Sequence, residues 1–373
     1  MADVPDAWFI ACLSIYLMSR SMRWFYLPNE AEEGDQVGPR AAFEKLTAQG
    51  VLTHYEAYSY LVRRRELGGH DAALRDLLDR SRAFAPDVIF AQHLNHGYPL
   101  SHEFLRELKG IHSRPKLVLH EGDAYGQFIK PLDQTLRTVI AEADMSFLVG
   151  LGDLARLAIK AGGRNIRYTP HSYDPVRFGT PWTPSRTRRF DAVMIANLPC
   201  IKRIPWLHMP GGHSRKLTAR AMHSALGERF ALFGGGQGWK REPYCLGPLP
   251  FAKQGETIRD AWMGVNWHQF DEIAMYSSDR LPIGLASGIP QITNRQPSYR
   301  FVFDNVPGLF VVDTPREAAD VGLYLMSLTV DRRIELGIDA ANYAAEHLCA
   351  DRVYADIVAV VREQLFDVER STG

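Results

Sequence analysis

Tyr276-Ser277-Ser278-Asp279-Arg280-Leu281-Pro282-Ile283-Gly284-Leu285-Ala286-Ser287-Gly288-Ile289-Pro290 opens with two hydroxyl residues and a charged pair. One apolar helical run follows and stops at Gly288 and Pro290, and residues 291–293 are β-like. Small polar residues at a helix start leave backbone N–H groups free to hold an anion. The stretch therefore reads as a turn, a short helix and a strand, with an anion-binding end.

Outward from this stretch the chain keeps the same alternation. Strand-like runs at 22–28, 53–62, 87–92, 116–120, 145–149 and 165–169 are separated by helical runs at 40–48, 71–82, 100–109, 135–143 and 154–161. Residues 170–190 break the pattern, with Pro170, Pro175, Pro181 and Pro184. A second alternation follows, with strands at 192–196, 230–233, 264–267, 291–293 and 309–312. Helices at 315–327 and 332–365, the latter broken near Ala350, finish the chain. Strands alternating with helices of this length predict parallel sheets covered on both faces. The expected class is α/β, with two Rossmann-like doubly wound domains facing across a cleft and helices at the C-terminus. The expected limits are an extension at 1–21, a first domain at 22–170, a linker at 171–190, a second domain at 191–330 and a helical segment at 331–373.

The 373 residues suit two cores rather than one. A formal net charge of +0 and 23% charged residues give no general attraction to nucleic acid. Four cysteines, none in a Cys-x-x-Cys pair, read as reduced thiols of a cytoplasmic protein. Residues 7–18 are apolar but too short to span a bilayer, and Asp3 and Asp6 stand where a signal peptide carries basic residues. No stable membrane span is expected.

Ligands of open parallel sheets bind beyond the C-terminal ends of strands. In the second domain that rule selects Arg215 and Lys216 at a helix start, Gly234 and Gly235 after a strand, and Ser277, Ser278, Asp279 and Arg280. Arg215 and Lys216 can neutralise a diphosphate, and the serines can cap a helix or donate to phosphate. In the first domain the rule selects His93, His96 and His120, with Glu121 and Asp123 beside the last. Histidine is the natural base near neutral pH, and the base is left open among His93, His120 and Asp123. Their spacing matches no zinc motif. Gly150-Leu151-Gly152 imitates a dinucleotide fingerprint, but the next strand lacks the acid that binds a ribose. Trp239, Trp262, Trp267 and Tyr276 read as core or as stacking surfaces.

The order of these pieces resembles GT-B glycosyltransferases, and most nearly their CgeB-like branch, which is related to the retaining group of sucrose and glycogen synthases. The likeness runs from about residue 145 to 328. Residues 143–148 resemble the last strand of the first domain, and Tyr168-Thr169-Pro170-His171-Ser172-Tyr173-Asp174 resembles the hinge. Leu232-Phe233-Gly234-Gly235-Gly236 resembles the turn beside the nucleotide, and residues 244–250, with Pro248 and Leu249, the segment that holds the base. Residues 277–290 resemble the donor helix. Relatives carry a ribose-binding Glu where this chain has Ile283. The resemblance implies a hexosyltransferase-like enzyme that retains anomeric configuration and takes a nucleotide-diphosphate sugar as co-substrate, with no essential metal and no other cofactor. It implies that the domains close to exclude water and that His93, His120 or Asp123 positions the acceptor. The acceptor stays open between glycan, small metabolite, protein and modified DNA base, and the oligomeric state is not implied. The same fold also accommodates a nucleotide-sugar epimerase or a sugar- or nucleotide-binding protein without activity.

Overall fold

The structure, a computed structural model, describes residues 22–94, 97–179, 183–201, 204, 207–270 and 272–367. The expectations for residues 1–21, His96 and Pro181 lie outside these residues. Two parallel sheets form the framework. The first contains β1 (Met22–Leu27), β2 (Leu52–Ala57), β3 (Val88–Gln92), β4 (Lys116–Glu121), β5 (Met145–Leu148) and β6 (Ile166–Tyr168). The second contains β7 (Phe190–Ile195), β8 (Phe230–Phe233), β9 (Ala261–Asn266), β10 (Gln291–Asn294) and β11 (Leu309–Val312).

The first sheet runs β2-β1-β3-β4-β5-β6 and the second β11-β10-β9-β7-β8. Read from its second strand, each begins 2-1-3-4-5, so both sheets reverse direction between their first and third strands. These reversals are where an open α/β sheet leaves a crevice at its C-terminal edge. The strands are apolar on both sides because helices cover both sides. Along β1, Phe25 enters one core with Ile89 and Leu119. Its neighbours Trp24 and Tyr26 enter the opposite core with Phe90 and Val118.

Two strand assignments shift. The aromatic run at 53–62 divides into β2 and a helix at Tyr60–Glu66, because Tyr60 turns back into the core that also holds Tyr58. Strand β9 starts at Ala261, earlier than the sequence suggests, after a helix that stops at Arg259. The helix Val330–His347 packs on the second lobe through Ala340 and Ala344. The next, Ala350–Arg362, returns to the first lobe and buries Val353, Tyr354 and Ile357 beside Trp24 and Phe43. The described helices include none long and apolar enough to cross a membrane.

Two chain crossings join the lobes. They pair where Tyr173 donates its N–H to Leu348 O (2.9 Å) and accepts from Ala350 N (3.0 Å). A second connection is non-covalent. The segment after β9 puts Phe270, Ile273 and Tyr276 into the core of the first lobe. Each such burial contributes about 2 kcal/mol, so the three together are comparable to the lower end of a domain's net stability, about 5 kcal/mol. Leu151 N donates to Ala274 O (2.8 Å) and fixes the register. The glycines of the Gly150-Leu151-Gly152 turn make this contact possible. A Cβ on Gly150 would lie 2.6 Å from Ile273 Cγ2, and Gly152 adopts φ +64°. We predict that Gly150→Ala over-packs the seam and costs about 1–3 kcal/mol. A urea unfolding curve reads this as a lower midpoint; an unchanged midpoint contradicts the seam.

Candidate active site

A cleft of about 510 Å³ opens between the C-terminal edges of the two sheets. Its first-lobe wall carries Asn29 and residues 35–39 after β1, Gln92 and His93 at the end of β3, and His120 and Asp123 at the end of β4. Its second-lobe wall carries Asn197 after β7, Arg215 from the following helix, and Tyr276, Ser278, Asp279, Arg280 and Ile283 after β9. His171 and Arg177 in the crossing and Tyr354 in the returning helix also line it. The topological reversal of each sheet thus supplies one wall.

The loop after β1 is fixed from below. The carboxylate of Glu30, almost fully buried, accepts from Arg40, Ser59 and the N–H of Gln36 (3.2 Å). Burial alone would raise the Glu30 carboxyl, but these donors hold it below the usual range. An anchored acid here keeps Asn29, Asp35 and Gln36 at the cleft rim.

Arg215 lies in the first turns of the helix Gly212–Leu226 rather than at its first residue, and its own N–H is already bonded to Gly211 O (2.9 Å). It reaches the cleft through its side chain. Nε and Nη2 donate to Trp267 O (2.9 and 2.7 Å), and Nη1 donates to Asn197 O (2.6 Å). Both partners are main-chain carbonyls. Burial, followed by the nearby charge of Arg280, lowers Arg215 to about 10. It is therefore cationic at neutral pH and beside another cation. Arg280 Nη1 lies 3.4 Å from Asp279 Oδ1, a long contact, and its buried Nε has no partner among the described residues. Arg215 and Arg280 thus face the cleft from the second-lobe wall, with Asp279 loosely held on Arg280, and Arg177 from the chain crossing also lines it.

The remaining second-lobe candidates have other contacts. Lys216 is turned away from the cleft, with Nζ on Glu242 (3.1 Å) and on Gly238 O (3.3 Å). Arg220 and Tyr244 share that carboxylate, at 2.7 and 2.9 Å. Burial opposes ionisation of Glu242, but these donors bring it down to about 2. The cluster ties the loop at 237–245 to the helix. Ser278 lines the cleft, but its hydroxyl donates to Asn266 Oδ1 (2.9 Å) and its N–H points to His268 Nδ1 (3.3 Å). Ser277 is buried and is not among the cleft residues. The expected phosphate contacts of these two hydroxyls and of Lys216 are therefore not what the geometry offers. Gly234 is fixed by packing: a Cβ would lie 1.9 Å from Ala196 O. Gly235 donates its N–H to Asn197 Oδ1 (2.8 Å). Pro248 is exposed and Leu249 half-buried, both off the cleft wall.

On the first lobe the three candidates for a base differ sharply. His120 is buried between Phe90 and Tyr354, with ring centroids at 6.1 and 5.8 Å, and neither ring nitrogen has a partner among the described residues. Burial, then the charges of His171 and His93, push it down to about 3, so it stays neutral. Asp123 pairs with Lys130 Nζ at 2.6 Å. His93 directs Nδ1 to Glu121 Oε1 (2.5 Å) while Nε2 lies 3.8 Å from Asp123 Oδ2. Burial disfavours its charged form, but Glu121 and then Asp123 more than offset this and hold His93 above its ordinary value. Glu121, only 1% exposed, also accepts the N–H of Asp123 (2.8 Å). His171 is pushed down by burial, against the pull of Asp279 and Asp123, so it senses acids on both walls. Among the described residues no group of histidines, cysteines and acids is placed to hold a metal ion.

Asn197 directly follows the strand read at 192–196 but is not among the residues that the strand-end rule selects from the sequence. Tyr354 had no such signal, because only the return of the last helix brings it to the cleft. Glu121 is adjacent to His120 in sequence, yet its partner is His93, 28 residues away.

No protein-family model matches the chain, and no curated protein matches it. Similar solved structures are found. HepE from Anabaena, crystallised with UDP and glucose, is 13% identical with a TM-score of 0.55, over 94% of this chain and 100% of that one. Sucrose-phosphate synthase from Thermosynechococcus elongatus is 11% identical with a TM-score of 0.55, over 94% and 100%. A glycosyltransferase from Rickettsia africae is 10% identical with a TM-score of 0.54, over 93% and 99%. Identities this low speak for architecture alone. With its two parallel sheets and the crevice between them, the chain has the GT-B fold of these glycosyltransferases.

Proposed function

We propose that the protein is a glycosyltransferase that holds a nucleotide-diphosphate sugar on the second lobe and passes the sugar to an acceptor on the first. The observation that carries this reading is the Arg215–Arg280 pair. Two like charges beside each other on a cleft wall repel, and a dianion between them removes that repulsion. The buried Nε–H of Arg280 has no partner among the described residues. Guanidiniums aimed at a departing diphosphate stabilise the charge that develops there. This is also the ground for reading the reaction as independent of a metal. HepE, of the same architecture, was crystallised with UDP-glucose, which supports UDP-sugars as the first donors to test. The likeness of residues 277–290 to the CgeB-like donor helix supports the same placement. No acceptor class is favoured by the residues of this cleft.

One observation favours a second reading. Ile283 presents hydrocarbon to the cleft where relatives use a carboxylate on the ribose. A nucleotide-binding protein without turnover would tolerate that loss. Incubation with UDP-, GDP- and dTDP-sugars separates the readings: slow release of free sugar marks a transferase, inversion at C2 an epimerase, and binding without turnover the third. Binding is also expected to depend on specific cations. Arg280→Ala removes one charge-assisted contact of about 1.5–3 kcal/mol, so UDP should bind roughly 10- to 100-fold more weakly by calorimetry. Lys216→Ala should stay within about two-fold of the parent, because Glu242 already holds that ammonium. An unchanged affinity for Arg280→Ala, or a large loss for Lys216→Ala, contradicts the placement of the diphosphate.

A further inference from the structure

The cleft residues favour no acceptor class, but a second cavity beside the cleft does. It holds about 290 Å³ and lies between the loop after β4, the helix Asp153–Lys160 and the segment after β9. Two features join it to the cleft. Phe270 lines both spaces. Within the loop, Ala124 and Lys130 line the cleft, whereas residues 125–129 line the cavity. The loop is drawn closed where Gly126 donates its N–H to Lys130 O (3.2 Å). A Cβ on Gly126 would meet Ile129 O at 2.8 Å and Phe270 Cε1 at 3.5 Å, so glycine lets the loop lie close to Phe270. A molecule whose hydroxyl stands in the cleft thus has room to extend past Phe270 into the cavity.

The walls decide what that extension is. Tyr125, Phe270 and Ile273 are buried, and Ile129, Leu157 and Pro210 are half-buried, so the floor is mostly hydrocarbon. The Tyr125 hydroxyl is turned to Glu121 Oε1 (3.4 Å). Among the described residues, every charged or amide side chain of the lining is exposed, namely Gln127, Asp153, Arg156, Lys160 and Glu272. Two acids balance two cations, and Arg156 is already paired with Asp153. The rim therefore has no excess positive charge for a nucleic-acid backbone. A glycan would press hydroxyls against a floor that cannot bond them, which is costly. Phe128, also on the lining, is 86% exposed. An apolar occupant covers that ring together with the floor, and removing both from water drives it in.

We propose that this cavity takes the apolar part of a small alkyl or aryl alcohol, whose hydroxyl reaches into the cleft as the sugar acceptor. This rests on the nucleotide-sugar reading above and names the acceptor class of that site. In the transfer the alcohol oxygen bonds to the anomeric carbon and that carbon's bond to the diphosphate oxygen breaks. The electron pair leaves with the diphosphate, and the hydroxyl proton ends in solvent.

The test uses the whole chain loaded with UDP, GDP or dTDP for binding, and with the corresponding glucose donors for transfer. The acceptors are ethanol, 1-butanol, 1-hexanol and 4-phenyl-1-butanol, set against maltose, a serine peptide and a hydroxymethylcytosine oligonucleotide. By calorimetry, affinity should rise about fourfold per added methylene from ethanol to hexanol, and transfer should follow the same order. Phe128→Ala, a change at an exposed ring, should weaken 4-phenyl-1-butanol about 10-fold. Leu157→Gln, which puts an amide on the floor, should flatten the chain-length series. A nucleotide-induced rise in melting temperature checks that each variant is folded. The proposal is overturned, with the donor reading left standing, by any of four results: no saturable binding of the alcohols to the nucleotide-loaded chain, a flat series in the parent, both variants matching the parent, or alcohols that bind but are poorer acceptors than maltose, the peptide or the oligonucleotide. If none of the nucleotides raises the melting temperature of the parent, the donor reading itself fails, and the proposal with it.

Discussion

The insertion of Phe270, Ile273 and Tyr276 from the second lobe into the core of the first is the contact on which the site depends. The paired crossings at Tyr173 and Leu348–Ala350 alone would leave the lobes free to rotate about a hinge. The inserted segment adds a second line of contact, and it is the same segment that leads into Ser278, Asp279 and Arg280. Packing that joins the lobes therefore also sets how far Arg280 stands from His93. A cleft held this way is largely formed before a ligand arrives, and any closure on binding acts on an opening already limited by the seam.

Within the cleft the chemistry divides by lobe. Arg215 is cationic without a carboxylate of its own, and three hydrogen bonds to two main-chain carbonyls hold the guanidinium rigidly. Rigid charge stabilises a leaving group better than mobile charge, because nothing has to reorganise when the bond breaks. The first lobe carries hydrogen-bonding and titratable groups instead. His93 is held up and His120 is pushed down, so two histidines near each other have opposite protonation behaviour. Environments that separate the pKa values of neighbouring groups are how a site assigns its acid and base roles.

Much of this was legible in the sequence because it depends on local pattern. Apolar runs bounded by turns gave the strands, and the strand-end rule gave the loops that carry His93, Asp123 and Arg280. What was not legible depends on contacts distant in sequence. Lys216 looks like an anion ligand until Glu242, 26 residues on, is seen to hold it. Ser278 looks like a phosphate donor until Asn266 takes its hydroxyl. Gly150-Leu151-Gly152 looks like a cofactor turn, and its glycines instead let Ile273 and Ala274 approach. The residues at 53–62 have strand composition throughout, but Tyr60 is needed in the core, and the chain turns into a helix to place it.

The central claim is that a diphosphate sits between Arg215 and Arg280 on the second-lobe wall. A crystal structure of the protein with UDP bound tests it most directly. The account predicts phosphate oxygens within hydrogen-bond distance of the Arg280 guanidinium and on the cleft side of Arg215, with the uridine on the second lobe beside Asn197. Phosphates seated instead on the first-lobe wall, or anywhere both guanidiniums cannot reach, would contradict it.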